Sequence, residues 1–67
     1  MAPKLLTLEE VAGLLRRSPA QLRWMRHNNT GPRSAKVAGR VMYMEDDLNE
    51  WIEVQFAADA ERRQVVA

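Results

Sequence analysis

The chain of 67 residues has no cysteine and a single histidine, His27. Disulfide bonds and thiolate metal ligands are therefore excluded, and one imidazole does not supply a structural zinc site. No apolar run approaches the length needed to span a membrane, and no signal-like segment opens the sequence. We expect one small soluble domain without membrane contact, whose core rests on the 46% of residues that are hydrophobic.

Groups suited to catalysis are also scarce. The three glycines form no phosphate-binding loop, and one histidine without cysteine offers no nucleophile and base pair. Glu45, Asp46 and Asp47 are adjacent carboxylates that suit a divalent ion, but acidic residues at the start of a helix explain them more simply. We expect no enzymatic activity, no cofactor and no metal.

Acidic residues are missing from the whole stretch between Val11 and Met44, which carries seven basic residues. Residues 1–44 sum to +6, from eight Lys/Arg against two Glu, while residues 45–67 sum to −5, from two Arg against seven Asp/Glu. The net charge of +1 conceals this division. A basic segment of this size suits DNA, although a solvated basic surface is the simpler interpretation of charge alone.

Local signals predict two helices close together. Thr7 and Glu10 have capping-box spacing, and Leu6 and Val11 have the spacing of a hydrophobic staple. The first helix is expected to close with the cations of residues 16 and 17. A second capping box, Ser18 with Gln21, and a proline at 19 predict a second helix from 19 to 27 or 28. The short interval between them indicates a helix-turn-helix.

A small wing and a third helix complete the predicted fold. Strand-like runs at 35–37 and 40–44 meet at Ala38-Gly39, although alanine is a poor first residue for a type I′ turn. The third helix follows the acidic residues 45–47 and is expected to end near Ala57. The predicted fold is mainly α with a β-hairpin wing, a winged helix-turn-helix in the order α-α-β-β-α. Residues 1–57 form the domain, and 58–67 are a helical extension or a flexible tail.

Candidate DNA contacts lie on the second helix, the inter-helix turn and the wing. Arg23 is expected to read guanine in the major groove, and Arg40 to reach the minor groove. Trp24 suits a core position as well as the DNA face, and each single cation suits plain solvation. The predicted DNA-binding residues are Arg16, Arg17, Ser18, Ala20, Gln21, Arg23, Trp24, His27, Arg33, Lys36 and Arg40.

Short motifs along most of the chain resemble the excisionase-type winged helix-turn-helix domains of the MerR-like superfamily, which include AlpA-like regulators. The motifs are LLTLEEVA at 5–12, SPAQLR at 18–23, GP at 31–32, KV at 36–37, RVMY at 40–43 and DLNEW at 47–51. Two features, at three positions, depart from the family pattern. Arg16-Arg17 replaces a glycine followed by an apolar residue, and Met25 stands where the family often has tryptophan.

The resemblance implies a function that the residues alone do not give. It is greatest to phage excisionases, which bind DNA in tandem copies, bend it, and make a tyrosine integrase favour excision. The implied partners are double-stranded DNA, a phage tyrosine integrase and further copies of the chain, in the cytoplasm of a bacterial host. A small phage or prophage transcriptional regulator is the first alternative. A protein-interaction adaptor acting through the acidic third helix is the second.

Overall fold

A computed structural model describes residues 3–65. Strands and helices follow one another with short connections. They are β1 Leu5–Thr7, α1 Leu8–Leu15, α2 Pro19–His27, β2 Ala35–Val37, β3 Arg40–Met44 and α3 Glu45–Val65. The predicted mainly helical, winged helix-turn-helix fold is confirmed, with one strand that the sequence analysis did not predict.

The start of α1 is fixed by the predicted capping box. The backbone N–H of Thr7 donates to Glu10 Oε1 at 2.8 Å, and the backbone N–H of Glu10 donates to Thr7 Oγ1 at 3.1 Å. The bond from the Thr7 backbone, with that from its hydroxyl, lowers the pKa of the Glu10 carboxyl. Leu6 and Val11, the predicted staple pair, are both buried.

The turn between α1 and α2 differs in two details from the prediction. The helix α1 ends at Leu15 without a basic residue in its last turn, and Arg16 is its C-cap in the left-handed conformation, with φ 57° and ψ 43°. Ser18 Oγ accepts from the backbone N–H of Gln21 at 3.1 Å and caps α2. The reciprocal bond from the Gln21 side chain does not form within residues 3–65, so the second capping box is only half present.

The strand missing from the prediction is β1. Three antiparallel strands lie in the order β1-β3-β2, with Leu6 opposite Tyr43 in one pair and Lys36 opposite Val41 in the other. Residues 5–7 therefore pair with a strand about 37 positions later, a distant contact that no local pattern reports. The predicted wing strands and their turn are confirmed.

One core joins the sheet to all three helices. Tyr43 and Leu22 are the largest of its fully enclosed side chains, and Leu48 brings the start of α3 onto them. Partly buried Ile52 packs against the same cluster one turn later. The buried hydrophobic residues are Leu6, Leu8, Val11, Ala12, Leu22, Tyr43 and Leu48.

The third helix does not end near Ala57, because α3 continues to Val65, which agrees with the predicted alternative of a helical extension. Beyond Ile52, every described side chain up to Arg63 is exposed, so the extension is not held by packing. Alanine and charged residues with high helix propensity supply the local reason, and Arg63 Nε lies 3.1 Å from Asp59 Oδ2 one turn earlier. The last two residues of the predicted tail, 66 and 67, lie outside the described residues.

Within residues 3–65, no helix combines the length and apolar character needed to cross a bilayer.

Candidate nucleic-acid interface

The helix α2 turns one face to the core and the other to solvent. Leu22 is completely buried and Met25, three residues later, is half-buried. The side chains at 20, 23, 24 and 27 are exposed on the opposite side. In a helix-turn-helix this second helix is the one that enters the major groove, and its outward face is the surface that meets base edges.

Two predicted contacts from different elements meet at one end of this face. Arg23 of α2 and Arg40 of β3 line the same small cleft, whose remaining walls are Leu8, Glu9 and Val41. Arg23 Nη2 lies 3.6 Å from Glu9 Oε2. Two guanidinium groups on neighbouring elements can approach a duplex together, one from the helix and one from the wing.

Glu9 is the residue at this cleft that the sequence analysis missed. It was one of two acidic residues in the first turn of α1, where a carboxylate is explained by the helix dipole. No local pattern connects it with Arg23, which is fourteen positions later and on another helix. Its carboxylate gives the Arg23 guanidinium an ion-pair partner within the chain.

The predicted contacts of the inter-helix turn lie on the other flank of α2. Arg16, Arg17, Gln21 and Trp24 line a wide groove that α1, α2 and α3 form together. The hydroxyl of Ser18 is already engaged as the helix cap. Trp24 is 59% exposed, so the alternative that it belongs to the core is wrong.

The wing residues divide between two places. Lys36 and Arg40 are exposed on the hairpin, and Arg40 faces the cleft with Arg23. Arg33 instead turns to the start of α3, where its Nη1 lies 3.7 Å from Asp47 Oδ2. The structure does not bring Arg33 to the cleft.

A polar contact sets the loop before the wing against α2. Arg26 is half-buried, and its Nε donates to Ser34 Oγ at 3.0 Å. Burial raises the pKa of Tyr43, whose hydroxyl lies beside the same serine and arginine. Arg26 therefore acts inside the fold, linking the recognition helix to the wing, although in the sequence it counts with the other basic residues.

The acidic residues at the start of α3 lie in its first turn, and two of them form ion pairs. Glu45 Oε2 lies 3.5 Å from Lys4 Nζ, and Asp47 pairs with Arg33. Across the described part of the chain, no group of three or more metal-ligating side chains comes together.

All the predicted contacts are exposed, on a helix, a turn and a wing that form a helix-turn-helix. The profile of a family described as a helix-turn-helix domain matches residues 5–55, about three quarters of the chain. Neither a curated protein nor a solved structure gives a match. The family match indicates DNA binding. On this match and this architecture, the chain belongs to the helix-turn-helix domain family.

Proposed function

We propose that this protein is a sequence-specific DNA-binding excisionase. It binds tandem sites, bends attachment-site DNA and directs a phage tyrosine integrase toward excision. In this proposal α2 enters the major groove and the hairpin reaches the adjacent minor groove.

The observation that carries DNA recognition is the shared cleft of Arg23 and Arg40, which joins the recognition helix to the wing. Arg23 is suited to bidentate contact with guanine, and Arg40 to a narrow minor groove. Exposed cations at Arg16, Arg17 and Lys36 extend the basic surface on either side and are suited to phosphates.

The tandem arrangement is supported by the division of charge within the chain. Residues up to 44 are strongly basic, and α3 is acidic and projects beyond the core. Opposite charges on different ends of a molecule favour head-to-tail neighbours. Several copies side by side on DNA would each contribute a local bend, whose energetic cost the added contacts offset.

Selection of bound duplexes from a random library, followed by footprinting of the enriched sequences, tests the proposal. An excisionase of this kind is expected to select direct repeats about one helical turn apart, and to fill them cooperatively with bending. Absence of enrichment, with no binding at low salt, would reject DNA recognition and favour the adaptor alternative.

Two substitutions test the assigned contacts. Arg23→Ala is expected to weaken binding to the selected site by about 1–3 kcal/mol and to relax the base preference at one position. Lys36→Ala is expected to weaken binding to all DNA sequences by the same factor. It should also reduce the slope of log affinity against log salt concentration by about 1. Equal losses of specific and non-specific binding for Arg23→Ala would contradict the base-reading role.

A small transcriptional regulator on the same scaffold is the second candidate. One observation favours it: α3 extends to Val65 and exposes Val54 and Phe56, which suits a dimerisation helix. A two-fold dimer reads inverted repeats. Selection of inverted repeats by a stable dimer would therefore replace the excisionase proposal with this one.

A further inference from the structure

An apolar groove runs between the end of α1, the flank of α2 and the middle of α3. Leu14, Trp24 and Phe56 form parts of its walls and are 64%, 59% and 74% exposed, while Trp51 and Ile52 lie deeper. Apolar side chains gathered at one place on so small a surface, and rimmed by polar residues, are typical of a protein-binding site. Both tryptophans of the chain line this groove.

The rim of the groove is basic. Arg16 and Arg17 line it at the turn between α1 and α2, and both are exposed. Neither takes part in an ion pair within residues 3–65. An occupant that suits the groove therefore combines apolar side chains with carboxylates.

The same chain carries a surface of that chemistry on the outer side of α3. Glu50, Glu53, Val54, Ala57 and Glu61 recur at helical spacing and are all exposed. They lie on the side of the helix opposite the core contact. Val54 is 55% exposed at the centre of this acidic outer face.

We propose that the groove of one copy receives the acidic outer face of α3 from a second copy. Val54 would enter between the tryptophans while the glutamates approach Arg16 and Arg17 at the rim. Two grooves facing each other would instead oppose like charges. Phosphates of DNA suit Arg16 and Arg17 as well, so on a duplex they compete with the glutamates for the rim, but they do not suit the apolar walls.

Such a contact joins two different surfaces, so it can repeat from one copy to the next. Each copy offers its α3 to one neighbour and its groove to the other. The groove borders the α2 face, so neighbours joined in this way lie side by side along a duplex. In that respect the inference deepens the proposed tandem binding and rests on it.

Sedimentation velocity of the full chain without DNA tests the contact. The wild-type sedimentation coefficient is expected to rise with concentration up to about 1 mM. Phe56→Ser alters the groove, and Val54→Ser alters the outer face. Residues two apart on a helix are separated by roughly 200°, so each substitution changes one surface only.

Each variant alone is expected to associate at least about ten-fold more weakly than the wild type. An equimolar mixture retains one intact groove and one intact outer face, so it should form a heterodimer and nothing larger. Leu5→Ser is the matched control, because Leu5 is a partly exposed apolar residue on β1, outside both surfaces. It should associate like the wild type, and circular dichroism checks that all variants fold.

A wild type that stays monomeric at about 1 mM would overturn the inference, as would undiminished association of both single variants. Failure of the mixture to form a heterodimer would also overturn it and indicate a two-fold contact. Binding of each variant to a duplex of about 20 base pairs is measured in parallel. If the wild type does not bind the duplex, the proposed function is contradicted. If only the heterodimer fails to form, this contact alone is contradicted.

Discussion

At the scale of single residues, Arg16 combines backbone strain with a positive charge. Its φ of 57° lies in the left-handed region. A residue with a side chain adopts this region at a cost of roughly 1 kcal/mol, whereas glycine adopts it without that cost. We predict that Arg16→Gly raises the free energy of unfolding by about 0.5–1 kcal/mol and weakens DNA binding, because a cation is lost. Urea denaturation and a DNA titration measure the two effects.

Arg17→Gly is the matched control, because it removes one positive charge at the neighbouring position. Arg17 is not among the residues with positive φ. The substitution should weaken DNA binding without stabilising the fold. Equal changes in unfolding free energy for the two variants would contradict the role of the left-handed conformation.

Glu9 is a carboxylate placed where DNA phosphates are expected. It lies 3.6 Å from Arg23, in an exposed pair that salt screens readily. We predict that Glu9→Gln strengthens binding to random-sequence DNA about two- to five-fold at low salt, because Arg23 loses its competing partner and a repulsive charge is removed. Fluorescence anisotropy with a labelled duplex measures the change.

The control removes the same charge from a distant place. Glu53 is exposed on the outer side of α3, so Glu53→Gln should change the affinity far less. Combining Glu9→Gln with Arg23→Ala should abolish most of the gain. Equal gains in DNA affinity for Glu9→Gln and Glu53→Gln would show that the effect comes from net charge and not from the pair with Arg23.

At the scale of elements, the wing turn has a residue that does not suit its backbone conformation. Ala38 and Gly39 both have positive φ, 52° and 84°, as a type I′ turn requires. Asparagine tolerates the first of these positions better than alanine. We predict that Ala38→Asn raises the free energy of unfolding by about 0.5–1 kcal/mol, measured by thermal and urea denaturation.

The second turn position provides the opposite change. A Cβ on Gly39 would meet no atom within 4 Å, so Gly39→Ala introduces backbone strain without a clash. It should lower the unfolding free energy by about 1 kcal/mol or more. Changes of the same sign at both positions would contradict a type I′ turn as the determinant.

Local signals in the sequence predicted most of these elements. The Thr7 and Ser18 caps, the Pro19 start and the alternation around Gly39 act over a few residues, so they can be read directly. The strand β1 was missed because three residues next to a helix start become a strand only by pairing with β3. The end of α3 was missed because the described side chains up to Arg63 favour the extension only through helix propensity and the local pair of Asp59 with Arg63.

The candidate site was predictable to the same extent. Helical spacing puts residues 20, 23, 24 and 27 on one side of α2, where the structure exposes them, and the wing turn brings Arg40 near that side. The pairing of Glu9 with Arg23, the turn of Arg33 toward Asp47, and the groove beside Trp24 all join distant parts of the chain. Such contacts depend on how the helices pack, which residue spacing within one helix does not report.

At the scale of the whole molecule, packing and charge are divided between the two ends. The core unites the sheet with α1, α2 and the first two turns of α3, and among the described side chains it holds none beyond Ile52. The distal part of α3 is exposed throughout its described side chains. The part of the chain that supplies stability is therefore nearly the same as the part that carries the basic surface.

This division predicts that a chain ending after Ala57 keeps both its fold and its DNA binding. Residues 58–67 contain two acidic and two basic side chains, so the truncation leaves the net charge at +1. Their described side chains, up to Arg63, are exposed and do not belong to the core cluster. We expect a melting temperature within about 2 °C of the full chain, and an affinity for a short duplex within about two-fold.

A chain ending after Glu50 is the contrasting control. It loses Trp51 and Ile52, of which Ile52 packs against the buried cluster. Loss of a side chain of that size from a small core costs about 2–5 kcal/mol, so this shorter chain is expected to unfold near room temperature. If instead the chain ending after Ala57 melted more than about 4 °C below the full chain, the deficit of about 1 kcal/mol would show that residues 58–67 contribute to the domain. The boundary at Ala57 would then be wrong.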